Sequence, residues 1–329
     1  MAGAAALQRM ILQPAWGNPE GEVESFDLSL LDEEVTPNDL FFVRSHSSPP
    51  APADTWNLSI CGEVSKPYQL SVKDLPNIAQ ATVGATMECD ENPVGGGLVS
   101  TAEWRGASLA ALVEPAKPLP SAHFIRLWGA DHNYVQSVPL LKATSPDTLV
   151  AYRMNGDTLP QAHGGPVRAI VPGWYGMYSV KWLTKLEVLS GDCEGNHLRR
   201  TRDGRTEPIR SMQVKSVFAR PLDGAIIFGR SFVVRGAAWA GEKSISKVEL
   251  STDGGRFWNA VQLLDRPQRY LWVRWQSVWK IPSPASHELV VQATDSDGNS
   301  QPALRNPARL DDYEQNECQR VRVQVIWGK

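Results

Sequence analysis

GPVRAIVPGWYGMYSVKWLTKLEVL, residues 165–189, is the stretch whose reading decides the fold. Valine, isoleucine, tyrosine and tryptophan dominate it, which favours pleated, half-buried chain over helix. Pro172-Gly173 and Gly176 cut the run into separate pieces, since proline has no donor for a ladder and glycine weakens a strand interior. Working upstream, AHFIRLWGAD (122–131) and LVAYRMNGD (149–157) are further strands with turns after them, the second ending in Asn-Gly. TWNLSICGEV (55–64) sets Trp56, Leu58 and Ile60 against Asn57 and Ser59, the period-two pattern of a strand. LSVKDLPN (70–77) is a strand end followed by a short turn or helix. ATVGATMEC (81–89) is an apolar, β-leaning run that delivers Cys89 to the start of a loop. GASLAALVE (106–114) has helical spacing, with Ser108 as its cap. TPNDLFFVRSH (36–46) opens on a turn and runs into a strand, before the proline-rich loop SSPPAPAD (47–54). These elements make a mixed α+β domain over residues 36–204, preceded by an irregular arm, 1–35.

From Arg205 onward the pattern is all-β. FVVRGAAWA (232–240), SKVELSTDGGRFWNAV (246–261), YLWVRWQSVWKI (270–281) and HELVVQATDSDGN (287–299) are strands separated by turns such as Asp253-Gly254-Gly255 and Asp297-Gly298. Short strands at regular spacing with alternate tryptophans fit an immunoglobulin-like sandwich over 205–329. The 329-residue length suits two domains, and 42% hydrophobic residues suffice for a core in each. A net charge of −3 offers no basic field for a nucleic acid. No apolar run reaches membrane-spanning length, so no span is expected. The N-terminal stretch lacks the charged and apolar regions of a secretory signal, which favours the cytoplasm, or the periplasm if a leader has been removed. Cys61, Cys89, Cys193 and Cys318 form no C-x-x-C pair and no C-x-x-C-H haem motif, and their wide spacing favours reduced thiols.

Cys89 is the first candidate for chemistry. A strand-to-loop junction followed by Gly95-Gly96-Gly97 gives access to a thiol, and a soft sulfur ligand suits a soft or high-valent metal. A buried small hydrophobe, or a nucleophile paired with His163, are the alternatives. Arg44 and His46 are two apart and share a strand face, while His163 and Arg168 flank a Gly-Gly-Pro bend. With Lys181, five such residues converging would bind a phosphorylated cofactor. Left apart, they are ordinary surface cations. Asp131 follows a Trp-Gly-Ala turn and could accept hydrogen bonds from an amino-heterocycle.

Taken together these stretches resemble the sulfite oxidase family of molybdopterin enzymes, from Thr36 to about Pro302. TPNDLFFVRSH is similar to the family's F-x-R-N-H entry strand, and TMEC followed by AEWRGASL to the segment around its metal-ligating cysteine. AHGGPVRAIVPGWYGMYSVKWL is similar to H-G-x-P-x-R … V-P-G … V-K-W-L. VELSTDGGRFWNA lies in a region similar to the family's dimerisation domain. The resemblance implies Mo-molybdopterin with Cys89 as its metal ligand and catalytic thiolate, and glycines 95–97 letting the chain pass close to it. Phe42, Val43, Arg44, Ser45, His46, Asp131, His163, Arg168, Ser179, Val180 and Lys181 would hold the pterin and its phosphate. It also implies a homodimer and a two-electron oxygen-atom transfer, sulfite to sulfate first. A separate redox partner such as a cytochrome would take the electrons. Reduction of a sulfoxide, nitrate or other oxo-compound is the alternative, and a non-catalytic binding protein with a degenerate pocket is the alternative of another class. The chain departs from the family where Val94 replaces an arginine five residues after the ligand, and where 195–205 lacks a tyrosine. Arg199, Arg200, Arg202 or Arg205 would then supply positive charge. Asp90 and Glu91 would repel an anion.

Overall fold

The computed structural model describes residues 22–51, 55–131, 134–191 and 198–327. Cys193 and most of the N-terminal arm lie outside them. Two sheets build the first part. In one, Asp157–Thr158, Leu149–Met154, Val99–Ser108 and Gln80–Glu88 are neighbours in that order, and Arg168–Ile170 also pairs with Leu149–Met154. In the other the order is Tyr68–Ser71, Asn57–Gly62, Leu183–Leu189, Phe124–Gly129 and Val135–Pro139. Its pairing of Leu183–Leu189 with Asn57–Gly62 is parallel and the rest antiparallel.

The alternation read from TWNLSICGEV is real: Leu58 and Ile60 face the core, where they join Ile125, Leu127, Leu186 and Val188. Leu109 and Leu112 of the helix Leu109–Val113 pack on the same cluster. Ser108 precedes that helix but makes no capping bond. It is still the last residue of a strand, paired with Leu149, and its N–H is given to Ala79. The mixed α+β expectation holds with little helix: Leu109–Val113, Leu140–Ala143 and short 3-10 segments, of which Val72–Asn77 has six residues. Among the described residues no helix is long and apolar enough to cross a membrane.

The C-terminal part is a sandwich, as its tryptophan-rich strands suggest. One sheet runs Lys215–Arg220, Ser231–Trp239, Val273–Lys280, Gln262–Leu263; the other runs Ile226–Phe228, Arg320–Ile326, Ser286–Asp295, Ile245–Ser251, Asn259–Ala260. Their inner faces enclose Phe218, Trp275, Leu289, Val321, Val323 and Val325.

A third cluster joins the two parts. Phe26, Leu28 and Leu31, from a segment expected to be irregular, are buried with Val99, Tyr175, Trp239 and Trp272. The segment has only a two-residue strand and a 3-10 turn, yet it packs because its apolar residues fill this seam. Beside them Lys215 is 2% exposed and reaches out of the sandwich to Glu88 (2.8 Å) and the Asn92 carbonyl (3.0 Å). Trp239 Nε1 donates to the second Glu88 oxygen (2.8 Å). The sandwich therefore braces the residue immediately before Cys89.

Candidate functional site

Gln80–Glu88 and Val99–Ser108 are adjacent antiparallel strands, and Cys89 is the first residue of the loop between them. Its N–H donates to the Leu98 carbonyl (2.9 Å), and its carbonyl accepts from Asn92 N–H (2.9 Å). The loop is thus closed on itself. The glycines contribute differently from the expectation. Gly97 lies where a Cβ would sit 2.0 Å from the Phe26 carbonyl, and Gly95 lies against Gln319. They let the loop pack on the N-terminal segment and the sandwich, and they do not line the cavity that Cys89 faces.

That cavity encloses about 690 Å³ of space between its walls, counted out to its open mouth. Phe42, Arg44, Ser45, His46, Cys89, Asp131, Arg168, Ser179, Val180 and Lys181 all line it. Val43 and His163 do not. Val43 is buried behind the wall, as its neighbours in a strand must alternate. His163 is buried against Phe41 and gives its Nε2 proton to the Asn38 carbonyl (2.7 Å). A carbonyl only accepts, so Nδ1 carries the lone pair, and it is buried without a partner. Burial lowers this histidine to about pH 4, so it is neutral and not one of the cations. Its carbonyl instead receives Arg168 Nη1 (2.8 Å).

Arg168 and Lys181 are brought together by Gly164. Its φ of +105° turns the chain sharply, and a Cβ there would stand 3.0 Å from the Cβ atoms of both cations. Arg168 Nη2 donates to the Ser179 carbonyl (2.6 Å) and contacts Met87 Sδ (3.4 Å), and its guanidinium lies 5.1 Å over the Trp104 ring. Lys181 Nζ donates to the Ala162 carbonyl (2.8 Å). Burial pushes Arg168 down to about 9; burial and then Arg168 push Lys181 down to about 7. Two desolvated cations bonded to carbonyls rather than carboxylates are set to receive an anion. Arg168 Nε and Ser45 Oγ, both on the cavity wall, are buried with no protein partner. These orphaned groups fit a polar ligand that enters with a phosphate.

On the same cavity wall, burial, Asp90 and Glu91 raise the Cys89 thiol well above its ordinary value. A thiol so placed is a poor nucleophile, and His163, the base named for it, does not line the cavity, which argues against the cysteine-nucleophile reading. A coordinated metal deprotonates a thiol outright. Among the described residues no group of three His, Cys, Asp or Glu could hold a bare ion. A metal at Cys89 therefore needs its other ligands from a cofactor, as a dithiolene provides.

The structure adds residues the sequence reading missed. Tyr134 lines the cavity, stacks on His46 (centroids 5.8 Å) and accepts from Gln136 Nε2 (3.1 Å) while donating to the Met177 carbonyl (3.2 Å). Burial raises its phenol, which stays protonated. Backbone bonds from Gly129 N–H to the Tyr134 carbonyl (2.8 Å) and from Tyr134 N–H to the Asp131 carbonyl (3.0 Å) hold this tyrosine beside Asp131, the residue the sequence does single out. Met87, Asp90, Glu91 and Met177 also line the wall. The arginines expected to supply charge do not. Arg199 forks onto the buried Glu314 (2.8 and 3.0 Å), Arg205 pairs with Asp203, and Arg200 and Arg202 are exposed.

Residues 46–197 match the model of an oxidoreductase molybdopterin binding domain, and residues 206–326 that of a Mo-co oxidoreductase dimerisation domain. Sulfite oxidase from Gallus gallus is 32% identical over 317 residues, covering 83% of this chain and 69% of that protein. Nitrate reductase [NADPH] from Emericella nidulans is 32% identical over 289 residues, 72% of this chain and 33% of its own. Among solved structures, the sulfane dehydrogenase SoxCD from Paracoccus pantotrophus superposes with a TM-score of 0.89 at 26% identity, covering 96% of this chain and 88% of its own. The chain spans 63 to 69% of the length of the chicken, mouse, rat and human sulfite oxidases that it matches.

Proposed function

Because the chain belongs to the sulfite oxidase family of molybdopterin-binding oxidoreductases, we propose that it transfers an oxygen atom at sulfur, with sulfite to sulfate as the first reaction to test. The observation that carries the reading is one cavity lined both by a metal-type thiol, Cys89, and by two desolvated cations, Arg168 and Lys181. When bound, Mo-molybdopterin supplies a metal that exchanges an oxygen atom in a two-electron step. Cys89 would ligate that metal. Arg168, Lys181 and Ser45 would take the phosphate and the polar edge of the pterin, and Asp131 its amino groups. Trp104 behind Arg168 and the aromatic wall of Phe41 and Phe42 keep water from those contacts. Sulfite and water would give sulfate, two protons and two electrons. The electrons would leave to a separate redox partner, and the dimerisation-domain match supports two copies joining through the sandwich.

Sulfite-dependent reduction of ferricyanide by molybdenum-loaded protein tests the reaction. Turnover lost in Cys89→Ser supports it; no turnover by loaded protein removes sulfite. A second reading, transfer involving a sulfoxide or another neutral oxo-compound, gains from Asp90 and Glu91, which line the same cavity as the thiol, whereas nitrate, an anion like sulfite, does not.

A further inference from the structure

Arg44 lines the cavity near Cys89, yet its charge is already committed. Its Nη2 and Nε both donate to Glu91 Oε2, at 2.9 and 3.3 Å, and its Nη1 donates to the Ser45 carbonyl (3.2 Å). The two side chains are only 13% and 30% exposed, so water screens the pair weakly. Asp90 is 2% exposed and lines the same wall. Glu91 thus holds the cation that lines the wall with the thiol, while the cavity's other two strong cations, Arg168 and Lys181, cluster around Gly164. Val94 places no cation there, and none of Arg199, Arg200, Arg202 and Arg205 lines the cavity.

A guanidinium fork is the group best suited to grip a tetrahedral or planar oxyanion through paired N–H donors. An incoming anion must displace Glu91 to use the Nε/Nη2 edge, and at the remaining Nη hydrogens it meets a charge already paired with that carboxylate. We propose that Glu91 is a specificity-determining residue: by occupying Arg44 it disfavours free sulfur oxyanions beside Cys89. The pocket thereby prefers a sulfur substrate whose reacting end carries no full negative charge. This rests on the molybdenum-oxidoreductase reading above and favours its second substrate reading, a neutral sulfur oxo-compound, over free sulfite, which is tested first because the relatives are sulfite oxidases.

The test is anion binding, read without turnover. Sulfate is titrated into wild type, Glu91→Gln, Glu91→Ala and the double variant Arg44→Gln/Glu91→Gln by isothermal calorimetry, and each preparation is assayed for molybdenum. Freeing one charged fork is expected to tighten sulfate at least about tenfold in either single variant, since bonds to charged groups carry about 1.5–3 kcal/mol. The gain should vanish in the double variant, which separates binding at Arg44 from binding at Arg168 and Lys181. With sulfite as substrate, the same single variants should lower KM more than they change kcat. Wild type binding sulfate as tightly as the single variants, or a gain that survives loss of Arg44, overturns the proposal. Absence of molybdenum from every preparation fails the enzyme reading instead, and the sulfate result still stands on its own. Two different replacements of Glu91 guard against one that fails to fold.

Discussion

Replacing Lys215 by methionine removes the ammonium that ties the sandwich to the root of the Cys89 loop while keeping most of the side-chain volume. Lys215 and Glu88 are each 2% exposed, and the ammonium serves Glu88 Oε1 and the carbonyls of Asn92 and Pro93. After the change the carboxylate keeps Trp239 Nε1 (2.8 Å) and Asn92 Nδ2 (3.0 Å), but no positive charge. Breaking a buried pair from one side costs about 3–5 kcal/mol, and the two surviving donors place this case near the lower end. Against a total of about 5–15 kcal/mol that is a large fraction. Urea unfolding followed by tryptophan fluorescence reads it directly, because Trp239 and Trp272 lie in the same seam. The double variant Glu88→Gln/Lys215→Met should be more stable than Lys215→Met alone, since it no longer buries an uncompensated charge. A Lys215→Met cost below about 1 kcal/mol, the scale of an exposed pair, would refute the claim that this ion pair braces the loop.

Four further outcomes follow from the cavity. Lys181 titrates near 7 in the ligand-free protein, so pyrophosphate should bind cofactor-free protein more weakly as pH rises above that value; calorimetry between pH 6 and 9 checks the direction. The same lowered value means the unfolded chain binds the extra proton between about 7 and the ordinary lysine value, so this group makes cofactor-free protein more stable as pH rises through that window, readable by urea unfolding. Gly164→Ala forces a Cβ against Arg168 and Lys181 at a positive φ and should cost about 1–3 kcal/mol in stability and most of the bound pterin, measured by fluorescence of the released oxidised pterin. Tyr134→Phe removes one hydroxyl that bonds Met177 and Gln136, and should lower kcat/KM about two- to tenfold with molybdenum content unchanged.

Much of the architecture was legible because period-two alternation records which side of a strand is buried. Leu58 and Ile60 show it in the first part, and the tryptophan-bearing strands show it in the sandwich. Arg320–Ile326 carries the same signal, with Val321, Val323 and Val325 inward and Arg320, Arg322, Gln324 and Ile326 outward. The site was legible through the family resemblance, which names Arg168 and Lys181 together, whereas their spacing alone fits ordinary surface cations equally. It was not legible where partners come from afar. Glu91 was read as a charge that repels anions, but its pairing with Arg44 spans 47 residues. The brace on Glu88 reaches across 127 residues to Lys215, and nothing local in KSVFAR announces it. The arginines near 199–205 failed for the same reason: Arg199 answers Glu314, 115 residues on. Glycines 95–97 look like a flexible access loop in sequence and are a packing surface in space, because their missing side chains admit Phe26 and Gln319.

The most direct test is molybdenum content by elemental analysis on protein made in a host that synthesises the cofactor, beside Cys89→Ser prepared identically. The expected result is near-equimolar molybdenum in the wild type, with a visible sulfur-to-metal absorption that is altered in the variant while the chain stays folded. Wild-type protein without molybdenum, or a spectrum indifferent to Cys89, would contradict the assignment of this cavity as a molybdenum site.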